Sequence, residues 1–209
     1  MTLARPAAIP SVPSQGATPA PPLGPLRPFS VAEYHRLTEI GVLTEDDPVE
    51  LLEGWIVLKM PKNPRHDNTV FRVQQSLSAL LPPNWLVRAQ SAITTGDSEP
   101  EPDVAVTSGP VTAYDSRHPG PSEISLVVEV ADTSLARDRV DKQRLYARAS
   151  IQAYWIVNLS NSRVEVYANP SGVVPDPSYQ SRVDYAPGQS IPLNVAGALI
   201  QVAVQELFP

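Results

Sequence analysis

The feature that most constrains this chain is a pair of strand-like runs, each carrying a carboxylate where an apolar or neutral residue is expected. The first is Pro102-Asp103-Val104-Ala105-Val106; the second, Ile124 to Ala131, is apolar almost throughout yet contains Glu129. So apolar a strand belongs at the centre of a sheet covered on both faces. A charged carboxylate buried there costs several kcal/mol, comparable with the stability of a whole domain, unless a cation or hydrogen bonds offset it. Lys142 follows thirteen positions beyond Glu129. Two carboxylates and one ammonium in this order point to a metal-dependent hydrolytic site.

Charge narrows the possible partners. The net charge of −6 excludes a broad nucleic-acid-coating surface, so any such contact is local. Of sixteen basic residues only Lys59, Lys62 and Lys142 are lysine. Against that arginine bias Lys142 stands out, because only lysine offers a compact ammonium point charge; a solvated helix lysine is the alternative. Without cysteine there is no disulfide framework or thiolate metal site, and His35, His66 and His118 lack zinc-type spacing. No apolar run approaches the roughly 20 residues of a membrane span, and no signal-peptide core is present, so the expectation is a soluble, cytoplasmic protein.

The punctuation divides the chain into an arm and one domain. Residues 1–28 hold eight prolines among Ala, Ser and Gly and read as a disordered or polyproline-like arm; residues 29–209 read as a single domain. Ser30 with Glu33 forms a capping box for a helix over 31–40 ended by Gly41, and residues 49–53 and 55–60 alternate around Gly54 as a hairpin. A helix follows over 65–81, stopped by Pro82-Pro83. Strands fit 85–90, 92–95, 103–107 and 124–131. Asp138 can cap a helix running to about Ala149, and residues 154–159 and 163–168 make a final hairpin. Residues 170–192, rich in Pro, Ser and Gly, read as an irregular excursion with a short strand around 182–185. The predicted fold is α/β, a mixed central sheet flanked by helices.

If the Asp103 and Glu129 strands are neighbours, their Cβ atoms lie roughly 5 Å apart, close enough to share one divalent cation. With Asp138 as N-cap, Lys142 is the fourth residue of the following helix and can swing back over the carboxylates. That reach matters because Ala131 occupies the position where a strand-borne Glu-x-Lys would place its lysine.

The run Val49-Glu50-Leu51-Leu52-Glu53-Gly54, then His66, Gln90-Ser91, Glu101-Pro102-Asp103-Val104, Val127-Val128-Glu129-Val130, Asp138 to Lys142 with Tyr146-Ala147, and Ala153-Tyr154-Trp155-Ile156-Val157 resembles the Uma family of restriction-endonuclease-like proteins, within the PD-(D/E)xK nuclease superfamily. The resemblance covers roughly residues 30–168 and Glu206-Leu207-Phe208. It implies a restriction-endonuclease-like fold, with Asp103 and Glu129 as ligands of Mg2+ or Mn2+. Lys142, from the helix, would position or activate the attacking water. Glu50 matches an acidic residue that completes the metal shell, and His66 and Gln90 match accessory positions near the site. The implied reaction is phosphodiester hydrolysis in DNA, double-stranded for preference.

Each residue also has a plainer reading. Asp103 can simply open a strand after Pro102, Glu129 can be a structural buried glutamate, and Glu50 suits a hairpin edge. His66 can cap a helix, and Gln90 can face solvent at a strand end. Trp55, Trp85, Trp155 and Tyr154 fit a core better than a base-stacking platform. Arg137, Arg139, Arg144 and Arg148 fit a phosphate groove or a solvated helix face equally. Three functions follow: a metal-dependent DNA endonuclease, a catalytically degenerate module kept for binding or assembly, and a metal hydrolase of small molecules. The third lacks the histidines usual at zinc. A homodimer pairing through the 154–168 hairpin is expected.

Overall fold

The computed structural model describes residues 24–44 and 46–209. Most of the expected arm, residues 1–23, lies outside the described residues.

A six-stranded sheet runs in the order β3-β4-β5-β6-β7-β8, with β3 (Trp85–Ala89), β4 (Val104–Ser108), β5 (Ile124–Ala131), β6 (Ala153–Asn158), β7 (Arg163–Pro170) and β8 (Tyr179–Tyr185). Only β5 and β6 pair in parallel. A parallel pair needs a crossover, and the one between them holds α3 (Leu135–Arg137), a π-helical turn (Asp138–Lys142) and α4 (Gln143–Arg148), run together as one rod.

Helices cover both faces of the sheet, which is why β5 is apolar on both sides. From α2 (Pro64–Ser78), Val70, Val73 and Leu77 pack with Val104, Val106, Val128 and Val130. On the opposite face Leu145, Tyr146 and Ala147 pack with Ala105, Val127, Ala131 and Ile156. Glu129 has the parity of Val127 and Ala131, so it lies under the crossover rod. A separate hairpin, β9 (Ser190–Val195) with β10 (Ala198–Ala203), closes the α2 side through Ile191, Leu193 and Val202.

The N-terminal elements follow their local signals. The Ser30 and Glu33 capping box opens α1 (Val31–Glu39), and Gly41 ends it at φ +74. β1 (Val49–Leu52) and β2 (Trp55–Leu58) meet at Glu53-Gly54, both with positive φ (49 and 82), the backbone of a tight right-twisted hairpin. Pro28 packs against Gly54, and the Phe29 amide donates to the Gly54 carbonyl at 2.8 Å, anchoring the chain there.

Several expectations are corrected. Residues 92–95 form no strand: Gln90 turns the chain at φ +48 and the segment bonds locally, Ile93 N to Pro100 O and Thr95 N to Ser98 O. α2 stops at Ser78, short of the prolines. Residues 170–192 carry more strand than expected: the strand placed around 182–185 is the end of β8, which adds a sixth strand, and β9 begins a hairpin at Ser190. The expected 154–168 edge is therefore closed, since β7 is covered by β8 and β6 is interior. Of the aromatic residues expected in the core, Trp155 and Tyr154 are fully buried, whereas Trp55 is 41% exposed. Among the described residues no helix is long and apolar enough to cross a membrane.

Candidate active site

The antiparallel ladder of β4 and β5 pairs Val104 with Val128, so one step further out Asp103 faces Glu129. The two are tied crosswise by backbone. The Val130 amide donates to Asp103 Oδ2 at 2.8 Å, and the Asp103 amide approaches Glu129 Oε2 at 3.4 Å. They are 7% and 6% exposed and line one cavity with Glu50, His66, Asp138 and Lys142.

Lys142 arrives from the helix. Its ammonium donates to Glu50 Oε2 at 2.7 Å and sits 3.3 Å from Glu129 Oε1. Asp138 does not cap that helix: the rod already begins at Leu135, and Asp138 is buried within it, accepting the Ser134 hydroxyl at 2.6 Å. Four residues of α-helix turn through about 400°, so a stripe on every fourth residue drifts about 40° per step. The wider π turn takes up that drift. It keeps Asp138, Lys142 and Tyr146 under the sheet together, all buried.

Further bonds fix the carboxylates. Tyr146 donates its hydroxyl to Glu129 Oε1 at 2.7 Å. Glu50 also accepts the Glu101 amide at 3.1 Å and faces Arg137 at 3.6 Å, so its oxygens are already engaged. His66, at the start of α2, sits 3.1 Å from Asp103 Oδ2 through Nε2, while its amide is capped by the Asn63 side chain. Gln90 does not join the cavity: its side chain is exposed, and only its amide meets the Asp103 carbonyl. The four helix arginines are committed to carboxylates: Arg137 to Glu50, Arg139 to Glu165, Arg144 to Glu53, and Arg148 to Glu53 and Asp97.

Electrostatics follow from this crowding. Burial pushes the Glu129 carboxyl up to about 8; Lys142 pulls against that, while Asp103, Asp138 and Glu50 add to it. Burial also raises Asp138, to about 6, against the Ser134 bond and Lys142. Burial works against the Lys142 ammonium, yet Glu129 and Glu50 hold its pKa above the usual lysine value. For His66 the Asp103 contact outweighs burial and raises its pKa. Burial and Glu129 keep Tyr146 a phenol, hence a donor.

The lining carries six carboxylates (Glu50, Glu101, Asp103, Glu129, Asp132, Asp138) against four cations (Lys59, Lys62, Arg137, Lys142). Among the described residues no three His, Asp or Glu side chains stand gathered as a ready ligand set. Asp103 and Glu129 form a pair of hard oxygen donors, which fits magnesium: it takes one or two carboxylates and completes its shell with water and substrate oxygens. The acid excess fits the same need for a bound cation. Asp138 and Tyr146 were missed as site residues by sequence reasoning. Their signal was the spacing, four residues either side of Lys142.

No curated protein matches the chain significantly. In three dimensions it is similar to a crystal structure from Anabaena variabilis described as a putative nuclease belonging to DUF820, with a TM-score of 0.67 and 17% identity over 87% of this chain and 98% of that one. That likeness is one of fold. The family Uma2, described as "Putative restriction endonuclease", matches residues 31–204, most of the chain and every site residue above. This chain belongs to the Uma2 family.

Proposed function

We propose that the chain is a metal-dependent endonuclease that hydrolyses phosphodiester bonds in DNA. The observation that most supports this reading is the convergence of Asp103, Glu129 and Lys142, from three separate elements, in one cavity with an excess of acid. A phosphodiester is anionic, and a cavity crowded with carboxyl groups becomes a place for it once a cation is bound there.

Asp103 and Glu129 would hold magnesium or manganese, with Glu50 the third carboxylate beside them. When bound, the metal acidifies a water and neutralises charge on the scissile phosphate. Lys142 sets a fixed positive charge where negative charge develops, in a buried site where such charges act most strongly. Glu50 aims that ammonium, Tyr146 orients Glu129, and His66 orients Asp103.

The test is cleavage of supercoiled plasmid in magnesium. Wild type should nick it, EDTA should stop the reaction, and Asp103→Asn or Glu129→Gln should lower the rate about a hundredfold or more. Undiminished cleavage by Asp103→Asn removes the proposal. Manganese calorimetry separates a degenerate module: no cleavage by wild type, and the same heat from wild type and Glu129→Gln, would assign the fold to binding or assembly.

A further inference from the structure

We propose that Lys62, Arg65 and Arg163 form the surface that grips the DNA backbone beside the cavity. The inference rests on the endonuclease reading and adds which face carries the strand. It comes from the disposition of charge. Among the described residues ten of fifteen lysines and arginines stand in ion pairs, including all four crossover arginines that the sequence offers as a phosphate groove. A cation already matched by a carboxylate brings little net attraction to a phosphate. The other five, Lys62, Arg65, Arg72, Arg88 and Arg163, have no carboxylate within ion-pair distance among the described residues. Arg72 and Arg88 are half-buried, and Arg88 lies over the Tyr114 ring at 5.2 Å. The exposed three are Lys62, Arg65 and Arg163.

Each of the three connects to the lining of the cavity. Lys62 lines it directly. Arg65 lies between Asn63 and His66, both lining residues, and donates to the Leu159 carbonyl at 2.9 Å. Leu159 is bonded through its amide to Ala131, next to the lining Asp132, and Arg163 pairs with Asn158 across the following turn. Beside a cavity rich in carboxyl groups stand exposed cations, which suit a polyanion whose scissile phosphate enters while its flanking phosphates rest outside. This also reconciles a chain of net charge −6 with a DNA substrate.

The test uses the full wild-type chain with calcium in place of magnesium, and a fluorescent DNA duplex, its intactness verified on a gel, followed by anisotropy against salt. Each phosphate contact contributes about 0.9 to the slope of log affinity against log salt. Lys62→Gln with Arg163→Gln, which touches no hydrogen bond of either side chain among the described residues, should lower that slope by about 1.8. Adding Arg65→Gln should lower it by about 0.9 more. Arg27→Gln with Arg36→Gln makes the same charge change at paired, exposed arginines outside the cavity and should leave the slope unchanged. An unaltered slope in the Lys62/Arg163 pair, or an equal loss in the Arg27/Arg36 pair, overturns this surface while leaving the endonuclease reading in place. A parent that binds no duplex at any salt concentration overturns both.

Discussion

Two glutamates sit in one transverse row of the sheet and meet opposite treatment. Glu129 on β5 is opposite Ile156 on β6, and Ile156 is opposite Glu165 on β7, so both carboxylates point to the crossover side. Glu165 is 0% exposed but fully answered, by Arg139, Asn158, Tyr167 and Arg182. Burial works against its charge, yet those bonds hold its pKa below the ordinary glutamate value. Glu129 has one ammonium, one phenol and one long amide contact, and it shares its space with three other acids. Tyrosine rings fill the distance between them. Tyr146 on Glu129 packs on Tyr154 at 5.0 Å, and Tyr154 packs on Tyr167, on Glu165, at 5.6 Å. Burial alone therefore does not mark a functional carboxylate. What sets Glu129 apart, and supports its proposed role, is burial with fewer compensating charges than the acids demand, which leaves room for a further cation.

The contrast can be broken experimentally, most strongly at Lys142. Lys142→Met should cost about 4 kcal/mol in urea unfolding, because it strips several buried acids of their shared cation. A loss under 1 kcal/mol would mean that the site does not depend on that ammonium. Next, Glu165→Ala should cost about 3 kcal/mol, the low end for a broken buried pair because Arg139 and Arg182 are each 38% exposed and screened by water. Glu129→Gln should stay within about 1 kcal/mol of wild type, since it relieves acid crowding. Equal costs for the two glutamates would erase the distinction between them.

A pH series sharpens the structural half. The native pKa of Glu165 is depressed, so the stability it supplies is fully present above about pH 4.3, the ordinary glutamate value, and is lost as pH falls through the native value. Urea midpoints of Glu165→Gln should therefore fall less than those of wild type as pH drops from about 5 to about 3. The smallest effects concern the phenols. Tyr167→Phe and Tyr146→Phe should each cost about 1 kcal/mol. Only Tyr146→Phe should also weaken manganese binding, by about tenfold in calorimetry, because only that hydroxyl orients a carboxylate of the proposed metal pair.

Much of this was legible in the chain. The capping box, the Glu53-Gly54 hairpin, the β5 strand and the β6-β7 hairpin rest on contacts a few residues long or on a period-two pattern, and those are written locally. So is the oddity of Glu129 in an apolar strand, because only its neighbours in sequence are needed to make it costly. Residues 170–192 misled for the complementary reason. β8 is an edge strand whose outer positions are polar and exposed, so its pattern resembles a loop until β7 is beside it.

The amino-acid order thus determined the sheet's central strand, its anomalous carboxylate, the pairing of Asp103 with Glu129 once their strands adjoin, and the family to which they belong. Tertiary structure decided the rest. It turned Asp138 from a cap into a buried neighbour, spent the helix arginines on Glu50, Glu53, Asp97 and Glu165, left Gln90 outside the cavity, and distinguished Glu129 from Glu165. The reason is physical: a side chain's type is set by the chain, but the state of a buried charge depends on how many donors and cations reach it from segments distant in sequence, and that count exists only after folding.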